Sequence, residues 1–191
     1  MIILASQSPR RAELLRQVGI TFDVRPADID ESVQPDEGPG DYVERVAIAK
    51  ASSVHRSDPR YPVLGADTAV VIDQTILGKP RDRDEAVAML QHLSGRTHEV
   101  LSGIAVVGDA GATHYRLNVS RVMFRPISES EAHAYWATGE PVDKAGGYAI
   151  QGLGAAFVER IEGSYSAIMG LPLFETLQLL SAVGVSTRLA V

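Results

Sequence analysis

The stretch Ile2-Ile3-Leu4-Ala5-Ser6-Gln7-Ser8-Pro9-Arg10-Arg11 (residues 2–11) decides the fold class of this chain. Its first four residues are apolar, and β-branched residues among them favour a short buried strand. Ser8 suits the N-cap of a following helix, Pro9 suits the first helical position, and Gly19 suits the C-terminal cap. A strand, a short polar turn and a helix in this order open an α/β unit.

The rest of the chain continues this pattern. The apolar periodicity predicts further strands at 20–24, 63–72, 99–107, 115–124 and 155–162, and helices at 41–55, 82–95, 128–136 and 172–183. We expect capping boxes at Asp41 and Ser128, a turn at Gly108–Gly111, and a loop at 26–40, which is rich in Pro, Gly, Asp and Glu. Since no repeat or linker interrupts the chain, the prediction is one α/β domain, residues 1–191, with a mixed central sheet and helices.

Composition excludes several classes of function. The 191 residues contain 18 Lys and Arg against 24 Asp and Glu, and the net charge of −6 argues against a general nucleic-acid or anionic-membrane binder. Without cysteine, disulfides, thiolate metal sites and cysteine nucleophiles are excluded. No apolar stretch approaches the roughly 18–20 residues that span a bilayer, and Met1–Ala5 is too short for a signal-peptide core. We therefore expect a soluble cytoplasmic protein that binds neither nucleic acid nor membrane.

The first candidate site is the turn from Ser6 to Arg11. A strand that ends just before a helix directs backbone N–H groups and the positive end of the helix dipole toward one point. Arg10 and Arg11 add forked donors that suit phosphate oxygens, although dipole logic favours acidic residues in a first turn. The pattern indicates an anion site. The alternative is a pair of solvated arginines that bind Glu13 or acidic loop residues.

The second candidate is Asp67, which interrupts the apolar run Val63–Ile72. Burying a carboxylate is costly unless it is paired, hydrogen-bonded or bound to a metal. Gly65 and Ala66 before it leave room for a ligand or for another backbone. The alternative is an aspartate that ends one strand before another begins.

Three weaker signals accompany Asp67. Lys50 lies on the apolar stripe of the helix predicted at 41–55, so we expect its ammonium group to face an anion in a cleft; the alternative is snorkelling. Lys79 lies in the rigid turn Gly78-Lys79-Pro80, which lacks the spacing of a P-loop. Glu31 ends the acidic run 28–31, and such runs are usually solvated.

Other patterns fail. Gly152-Leu153-Gly154 resembles the start of a dinucleotide fingerprint, but Phe157 occupies the third small position and a strand is predicted to follow. The five histidines show no metal-binding spacing, so we interpret them as structural or surface residues. No serine lies in a G-x-S-x-G elbow.

In this order, the motifs resemble the Maf family of nucleotide pyrophosphatases over essentially the whole chain. The matching segments are Leu4–Arg11, Gly65–Thr68, Leu77–Pro80, Ser94–His98, Asp143–Gly152, Phe157–Tyr165 and Met169–Leu173. The resemblance implies an inosine-triphosphatase-like α/β fold with two lobes that flank a cleft, commonly a homodimer. It also implies hydrolysis of a nucleoside triphosphate to the monophosphate and pyrophosphate with a divalent cation, Mg²⁺ or Mn²⁺.

Three of the motifs point to one branch of that family. Gly65-Ala66-Asp67-Thr68, the run Ser94–His98 and Ile150-Gln151-Gly152 are similar to the branch that prefers dTTP and UTP, including some modified uridine nucleotides. The sister branch for 7-methylguanosine triphosphate carries Ser-Asp-Gln where this chain has Ala66-Asp67-Thr68. A non-catalytic nucleotide sensor that regulates septum formation is the alternative function.

The resemblance assigns roles position by position. Asp67 matches the proton acceptor, and the specificity positions are Arg10, Thr68 and Gln151. The polar active-site set is Ser6, Glu31, Lys50 and Lys79. Because adjacent residues are also acidic, the match of the family position to Glu31 can shift by one residue.

A mechanism consistent with these residues has two parts. Asp67 and Glu31 bind or orient the metal ion and its water, and the triphosphate is held by Arg10, Arg11, Lys50 and Lys79. The water then attacks the α-phosphorus in line, and pyrophosphate leaves. Whether Asp67 takes a proton or chiefly binds the metal stays open.

Overall fold

A computed structural model describes residues 1–108 and 111–186 of the chain. The strands are β1 Ile2–Leu4, β2 Phe22–Val24, β3 Val63–Ile72, β4 Thr75–Leu77, β5 Thr97–Val107, β6 Thr113–Phe124 and β7 Val158–Glu162. The helices are α1 Pro9–Gln17, α2 Pro39–Ser57, α3 Arg83–Leu93, α4 Glu129–Ala137, α5 Tyr165–Ile168 and α6 Leu173–Ala182. Two short 3₁₀ helices cover Ala145–Gly147 and Leu153–Phe157. The predicted α/β class is confirmed.

The strands of the described residues form one mixed sheet. Its order is β2-β1-β3-β5-β6-β7, and β4 pairs with β3 outside this path. β1 runs parallel to both β2 and β3, with Ile3 opposite Val63, whereas β4 runs antiparallel to β3 and β7 runs antiparallel to β6. The prediction of a mixed central sheet is therefore confirmed.

The chain divides into two compact units. Unit 1 comprises Met1–Asp67, Ser102–Asn118 and the C-terminal residues from Gly170. Its core packs the small residues of α2 against β1, β3 and β5. Unit 2 comprises Thr68–Leu101 and Val119–Met169. Its core is mainly aliphatic, and it includes the aromatic residues Phe124, Tyr135, Tyr148 and Phe157.

Helix starts follow the sequence signals with one exception. The Ser8 cap and the Ser128 capping box are both present. The capping box predicted at Asp41 is wrong, because α2 begins at Pro39 with Gly38 as its N-cap. Proline suits the first helical position, where its missing N–H costs nothing, and Asp41 thereby falls in the first turn, where its charge favours the helix dipole.

The strand predictions differ from the structure mainly in three places. β2 begins at Phe22 and not at residue 20, because the Ile20 N–H donates to the Leu15 carbonyl at the end of α1. β7 begins at Val158 and not at residue 155, because the 3₁₀ helix Leu153–Phe157 takes up the first part of the predicted strand. β4 has no sequence signal, because its tight turn places Asp73 and Gln74 at positive φ (49° and 61°) without a glycine to mark it. In the turn predicted at Gly108–Gly111, Asp109 and Ala110 lie outside the described residues.

No helix within the described ranges is long and apolar enough to cross a membrane.

Candidate active site

The start of α1 concentrates positive charge. The Ser8 side chain accepts a hydrogen bond from the Arg11 backbone N–H, and Pro9 occupies the first helical turn together with both arginines. The turn holds no acidic side chain, so the helix dipole and the Arg10 and Arg11 guanidinium groups add at the same end. This end of α1 therefore suits an anion.

Arg11 is buried, with 9% of its surface exposed. Its Nε donates to the Gly170 carbonyl at 2.8 Å, and its Nη1 donates to Ser6 Oγ at 3.1 Å. Burial lowers the pKa of Arg11, while the negative charges of Asp67 and Glu31 act to raise it. For Arg11 the alternative of a solvated arginine is wrong, and this side chain supports the turn through Ser6.

Two glycines let α2 lie close to the sheet. A Cβ on Gly65 of β3 would lie 2.3 Å from the Ala47 carbonyl oxygen, and a Cβ on Gly103 of β5 would lie 2.6 Å from the Val43 carbonyl oxygen. The room that Gly65 leaves is thus filled by a helix backbone. Because side chains alternate along a strand, Asp67 projects on the same face as Gly65, toward α2.

Lys50 of α2 joins two carboxylates. Its Nζ lies 2.9 Å from Asp67 Oδ1 and 2.6 Å from Glu31 Oε2. Lys50 and Asp67 are each only 7% exposed, whereas Glu31 is exposed at the surface of the loop. We call Glu31, Lys50 and Asp67 the ion triad. Its cation offsets part of the cost of burying the Asp67 carboxylate.

The ion triad settles two of the alternatives raised by the sequence. Lys50 does not snorkel to solvent, because its ammonium group points at Asp67 and Glu31. Asp67 does not end a strand, because β3 continues from Val63 to Ile72. A buried carboxylate beside an ammonium group can accept a proton or bind a metal ion, and both fit the sequence prediction.

The predicted loop is fastened along α2 and is not simply solvated. At its start Arg25 pairs with Asp58, the residue that ends α2, at 2.7 Å. Farther along, Tyr42 donates to the Glu31 carbonyl at 3.1 Å. Arg45 donates to the Ser32 carbonyl and to both carboxylate oxygens of Glu37, at 2.5 to 2.9 Å. The contacts of Tyr42 and Arg45 hold the backbone carbonyls of Glu31 and Ser32.

Sequence reasoning missed Tyr42 and Arg45. Burial and then the charges of Asp67 and Glu31 raise the pKa of Tyr42 to about 12, so this hydroxyl lies near the ion triad and stays protonated at neutral pH. The available signal was spacing, because Tyr42 and Lys50 are eight residues apart on one face of α2.

Three of the predicted site residues belong to unit 2. Thr68 follows Asp67 in β3 and is half-buried. Lys79 is exposed, and the Gly78 carbonyl before it accepts a hydrogen bond from the Gly146 N–H at 3.0 Å. Gln151 is exposed in a turn that the Gly152 N–H closes onto the Ala149 carbonyl at 3.2 Å.

Unit 1 brings together most of the predicted set: Ser6, Arg10, Arg11, Glu31, Lys50 and Asp67. The α1 turn follows β1 and Asp67 lies in β3, and these two strands are paired, with the Ala5 N–H donating to the Leu64 carbonyl of β3 at 2.8 Å. The negative charges of Asp67 and Glu31 also act to raise the pKa of Arg11, against the effect of burial.

A divalent cation fits the donor chemistry of the ion triad. The Asp67 and Glu31 carboxylates already converge on one cationic atom, Lys50 Nζ. Carboxylate oxygens are the ligands that Mg²⁺ prefers, and Mg²⁺ is usually bound through one or two of them. The described residues contain no group of three or more His, Cys, Asp and Glu side chains that could hold a metal ion. The two carboxylates would therefore need water or substrate oxygens as further ligands.

Fold and site together define an α/β protein with a buried acid–lysine pair beside a positively charged helix start. The model of the Maf-like protein family matches residues 1–183, and the chain belongs to this family.

Similar proteins carry a common name. A dTTP/UTP pyrophosphatase from Alkalilimnicola ehrlichii is 55% identical over 185 residues, which cover 94% of this chain and 91% of that protein. A dTTP/UTP pyrophosphatase from Hahella chejuensis is 54% identical over 187 residues, which cover 96% of this chain and 92% of that protein. Among solved structures, a HAM1 protein from Coxiella burnetii is 19% identical with a TM-score of 0.48, covering 64% of this chain and 72% of that one.

Proposed function

We propose that this protein is an enzyme that hydrolyses dTTP and UTP, with some modified uridine nucleotides, to the monophosphate and pyrophosphate. Membership of the Maf family supports the proposal, as do relatives named dTTP/UTP pyrophosphatase that match more than nine-tenths of this chain. The observation that carries it is the ion triad, because a buried carboxylate held by a cation can activate water for attack on a phosphoanhydride.

Positive groups hold the triphosphate in this proposal. A nucleoside triphosphate carries about four negative charges near neutral pH. Arg10 and the α1 N-terminus bind phosphate oxygens, and Lys79 adds a further cation. Arg11 acts mainly through Ser6, because its Nε and Nη1 donors already bind Gly170 and Ser6. Lys50 contributes its positive charge through its contacts with the Glu31 and Asp67 carboxylates.

Asp67 is the group that acts on the attacking water. Its carboxylate accepts a proton from the water or orients it, the water attacks the α-phosphorus in line, and pyrophosphate leaves. Asp67 and Glu31 would hold a Mg²⁺ or Mn²⁺ ion, which when bound neutralises phosphate charge and lowers the pKa of bound water. Lys50 fixes both carboxylates by direct contact at 2.9 and 2.6 Å.

The base is selected by neutral polar groups in this proposal. The Gln151 amide both donates and accepts, so it can match the alternating acceptors and donor of a uracil or thymine edge. The Thr68 hydroxyl can bind the base or the sugar. Arg10 completes the specificity set by its place in the family motif.

The experiment is a product assay. Purified protein is incubated with dTTP and Mg²⁺ or Mn²⁺, and dTMP and pyrophosphate are measured. We expect both products from the unaltered protein and none above background from D67N. A protein that gains thermal stability with dTTP but releases no product would instead be a nucleotide sensor, the alternative function. A panel with GTP, dCTP and ITP measures selectivity.

We further propose, from the family resemblance, a cytoplasmic homodimer that works as one domain and binds neither nucleic acid nor membrane. Sedimentation equilibrium tests the dimer. A single species of one-chain mass would overturn it.

A further inference from the structure

Glu140, just after α4, binds the backbone of the segment that carries Gln151. Its Oε2 accepts a hydrogen bond from the Leu153 N–H at 2.9 Å. Its Oε1 accepts from the Gly154 N–H at 2.9 Å and from the Tyr135 hydroxyl at 2.6 Å. Burial acts to raise the pKa of Glu140, but these hydrogen bonds outweigh it and lower the pKa, so the group is a carboxylate at neutral pH.

Tyr135 of α4 extends this grip to the other end of the segment. While its hydroxyl donates to Glu140, the same oxygen accepts from the Ala149 N–H at 3.1 Å. Tyr135 itself is buried, and burial is the main cause of its raised pKa. Glu140 and Tyr135, which we call the Glu140 clip, thus fix Ala149 on one side of Gln151 and Leu153 and Gly154 on the other.

The clip explains the pair of glycines in Gly152-Leu153-Gly154. The sequence alone argues against a dinucleotide fingerprint there and indicates no other role for these glycines. A Cβ on Gly152 would lie 2.2 Å from the Glu140 carboxylate. A Cβ on Gly154 would lie 2.7 Å from the Tyr135 hydroxyl oxygen and 2.8 Å from the Ala149 carbonyl oxygen. Both positions need glycine because the clip approaches the backbone closely.

We propose that Glu140 and Tyr135 are positioning residues that set the nucleobase selectivity of the enzyme by holding the turn that presents Gln151. This inference rests on the proposed function. The Gln151 side chain is exposed, so its direction depends on the backbone of its turn. An amide distinguishes one base edge from another only when its oxygen and nitrogen each meet the right partner.

The main test is E140Q. The substitution keeps the size of the side chain but replaces one acceptor oxygen with a donor, so one of the three bound N–H and O–H groups loses its acceptor. We expect the ratio of kcat/KM for dTTP to that for GTP to fall about tenfold, which is the value of one well-placed hydrogen bond. The loss should lie mainly in a higher KM for dTTP, with kcat little changed.

E131Q is the matched control. Glu131 is also a carboxylate of unit 2 that accepts three hydrogen bonds, from Arg125 and from the N–H and hydroxyl of Ser128. It caps the start of α4 instead of holding the 149–154 segment. E131Q should therefore lower thermal stability about as much as E140Q does, while the dTTP:GTP ratio stays at its original value.

A double variant separates the clip from the proposed base reading. If Q151A alone leaves the ratio unchanged, Gln151 does not read the base, and the inference fails together with that part of the proposed function. If Q151A lowers the ratio but E140Q does not, only the clip is wrong. If both lower it, E140Q should have no further effect in the Q151A background. An equal E140Q effect in both backgrounds would overturn the inference, because Glu140 would then act independently of Gln151.

Y135F provides a milder second variant should E140Q fold poorly. It removes the hydroxyl that joins Glu140 to Ala149 and keeps the ring packed against Phe157, whose centroid lies 5.1 Å away. We expect the dTTP:GTP ratio to fall about threefold, less than for E140Q because Glu140 stays a carboxylate and no amide donor is placed against a backbone N–H. A stably folded Y135F protein with the original ratio would contradict the inference.

Discussion

In unit 1, Lys50 touches the Asp67 and Glu31 carboxylates directly, whereas in unit 2 the Glu140 clip touches only the backbone on either side of Gln151. The first arrangement fixes charged atoms themselves. The second fixes a turn and leaves its polar side chain exposed. This difference suits two tasks, because water attack needs fixed charges while base reading needs an amide aimed at a ligand.

The two units also differ in the charge of the polar side chains that they bury. Unit 1 brings its buried Asp67 carboxylate and Lys50 ammonium together within hydrogen-bonding distance. Unit 2 buries His98 among aromatic rings, with Nε2 2.8 Å from the Tyr148 hydroxyl and Phe124 packed edge-on at 4.9 Å. Burial lowers the pKa of His98 to about 4, so this residue is neutral near pH 7. Unit 1 thus buries a charged pair, whereas unit 2 buries a neutral histidine.

The largest effect is expected for D67N. The amide keeps the size of the side chain but can neither take a proton from water nor balance Lys50, so kcat should fall about 10³-fold. Steady-state rates of pyrophosphate release with dTTP measure this loss. D73N is the matched control, because Asp73 is an exposed aspartate of unit 2 that pairs with Arg96. A loss of kcat of less than tenfold in D67N would contradict the role of Asp67 as the group that acts on the attacking water.

K50M tests whether activity depends on the charge of Lys50 or only on the volume of its side chain. Methionine fills the position but leaves the Asp67 and Glu31 carboxylates facing each other without the shared cation, so kcat/KM should fall about 10²-fold. K144M, a lysine of unit 2 whose Nζ donates to the Val142 carbonyl, is the control. Activity close to the original in K50M would mean that Lys50 serves only to fill space beside β3.

Acid should weaken unit 2 before unit 1. The folded pKa of His98 is about 4 and its ordinary value is 6.5, so the unfolded chain binds a proton that the folded chain refuses. Stability is therefore retained above pH 6.5 and lost as the pH falls, by about 2 kcal/mol between pH 6.5 and 5. Urea unfolding at several pH values measures this.

H98Q isolates the His98 contribution. It keeps a polar partner for Tyr148 without a titrating ring, so its free energy of unfolding should change much less between pH 6.5 and 5. Glu37 and Glu131 contribute little to the change in stability between pH 6.5 and 5. Their Arg45 and Arg125 partners lower the pKa of each carboxyl from 4.5 to about 2, and their contributions are lost only below pH 4.5. Equal pH dependence of H98Q and the unaltered protein would contradict a neutral His98.

Local signals were enough to predict the parts of the site that lie on regular elements. Ser8 precedes a proline at a helix start, and Asp67 interrupts an apolar strand, where an unpaired carboxylate would be too costly. Lys50 falls on an apolar stripe. Each prediction needed only the residues within one element, and the structure confirms the Ser8 cap and the burial of Asp67 and Lys50.

The remaining parts depend on contacts between distant segments. Nothing near Glu140 in the sequence indicates that it binds the N–H groups of Leu153 and Gly154, which follow thirteen or more residues later. The loop at 26–40 has no periodicity because its contacts with Tyr42, Arg45 and Lys50 of α2, and its own short turns, repeat with no regular spacing. The sequence was enough to reject a dinucleotide fingerprint at Gly152 and Gly154, but a pair of small residues does not specify which groups approach them.

R45M tests that loop and has the smallest expected effect of the three unit 1 substitutions. The Arg45 guanidinium binds both Glu37 oxygens and the Ser32 carbonyl, while Tyr42 and Lys50 still hold Glu31 itself. Loosening the loop should raise the KM for the metal–nucleotide complex about tenfold, with kcat within about twofold, because Asp67 is untouched.

R45K should restore part of the R45M loss, since lysine keeps the charge but lacks the fork that spans a carboxylate. R83M is the control, because Arg83 forms an exposed pair with its neighbour Asp84 in unit 2. An unchanged KM in R45M would show that Lys50 and Tyr42 alone seat Glu31. A fall in kcat as large as that in K50M would instead show that the loop contributes to the charge arrangement around Asp67. Unit 1 would then depend on fixed charges in its exposed loop as well as in its buried pair, in contrast to the held turn of unit 2.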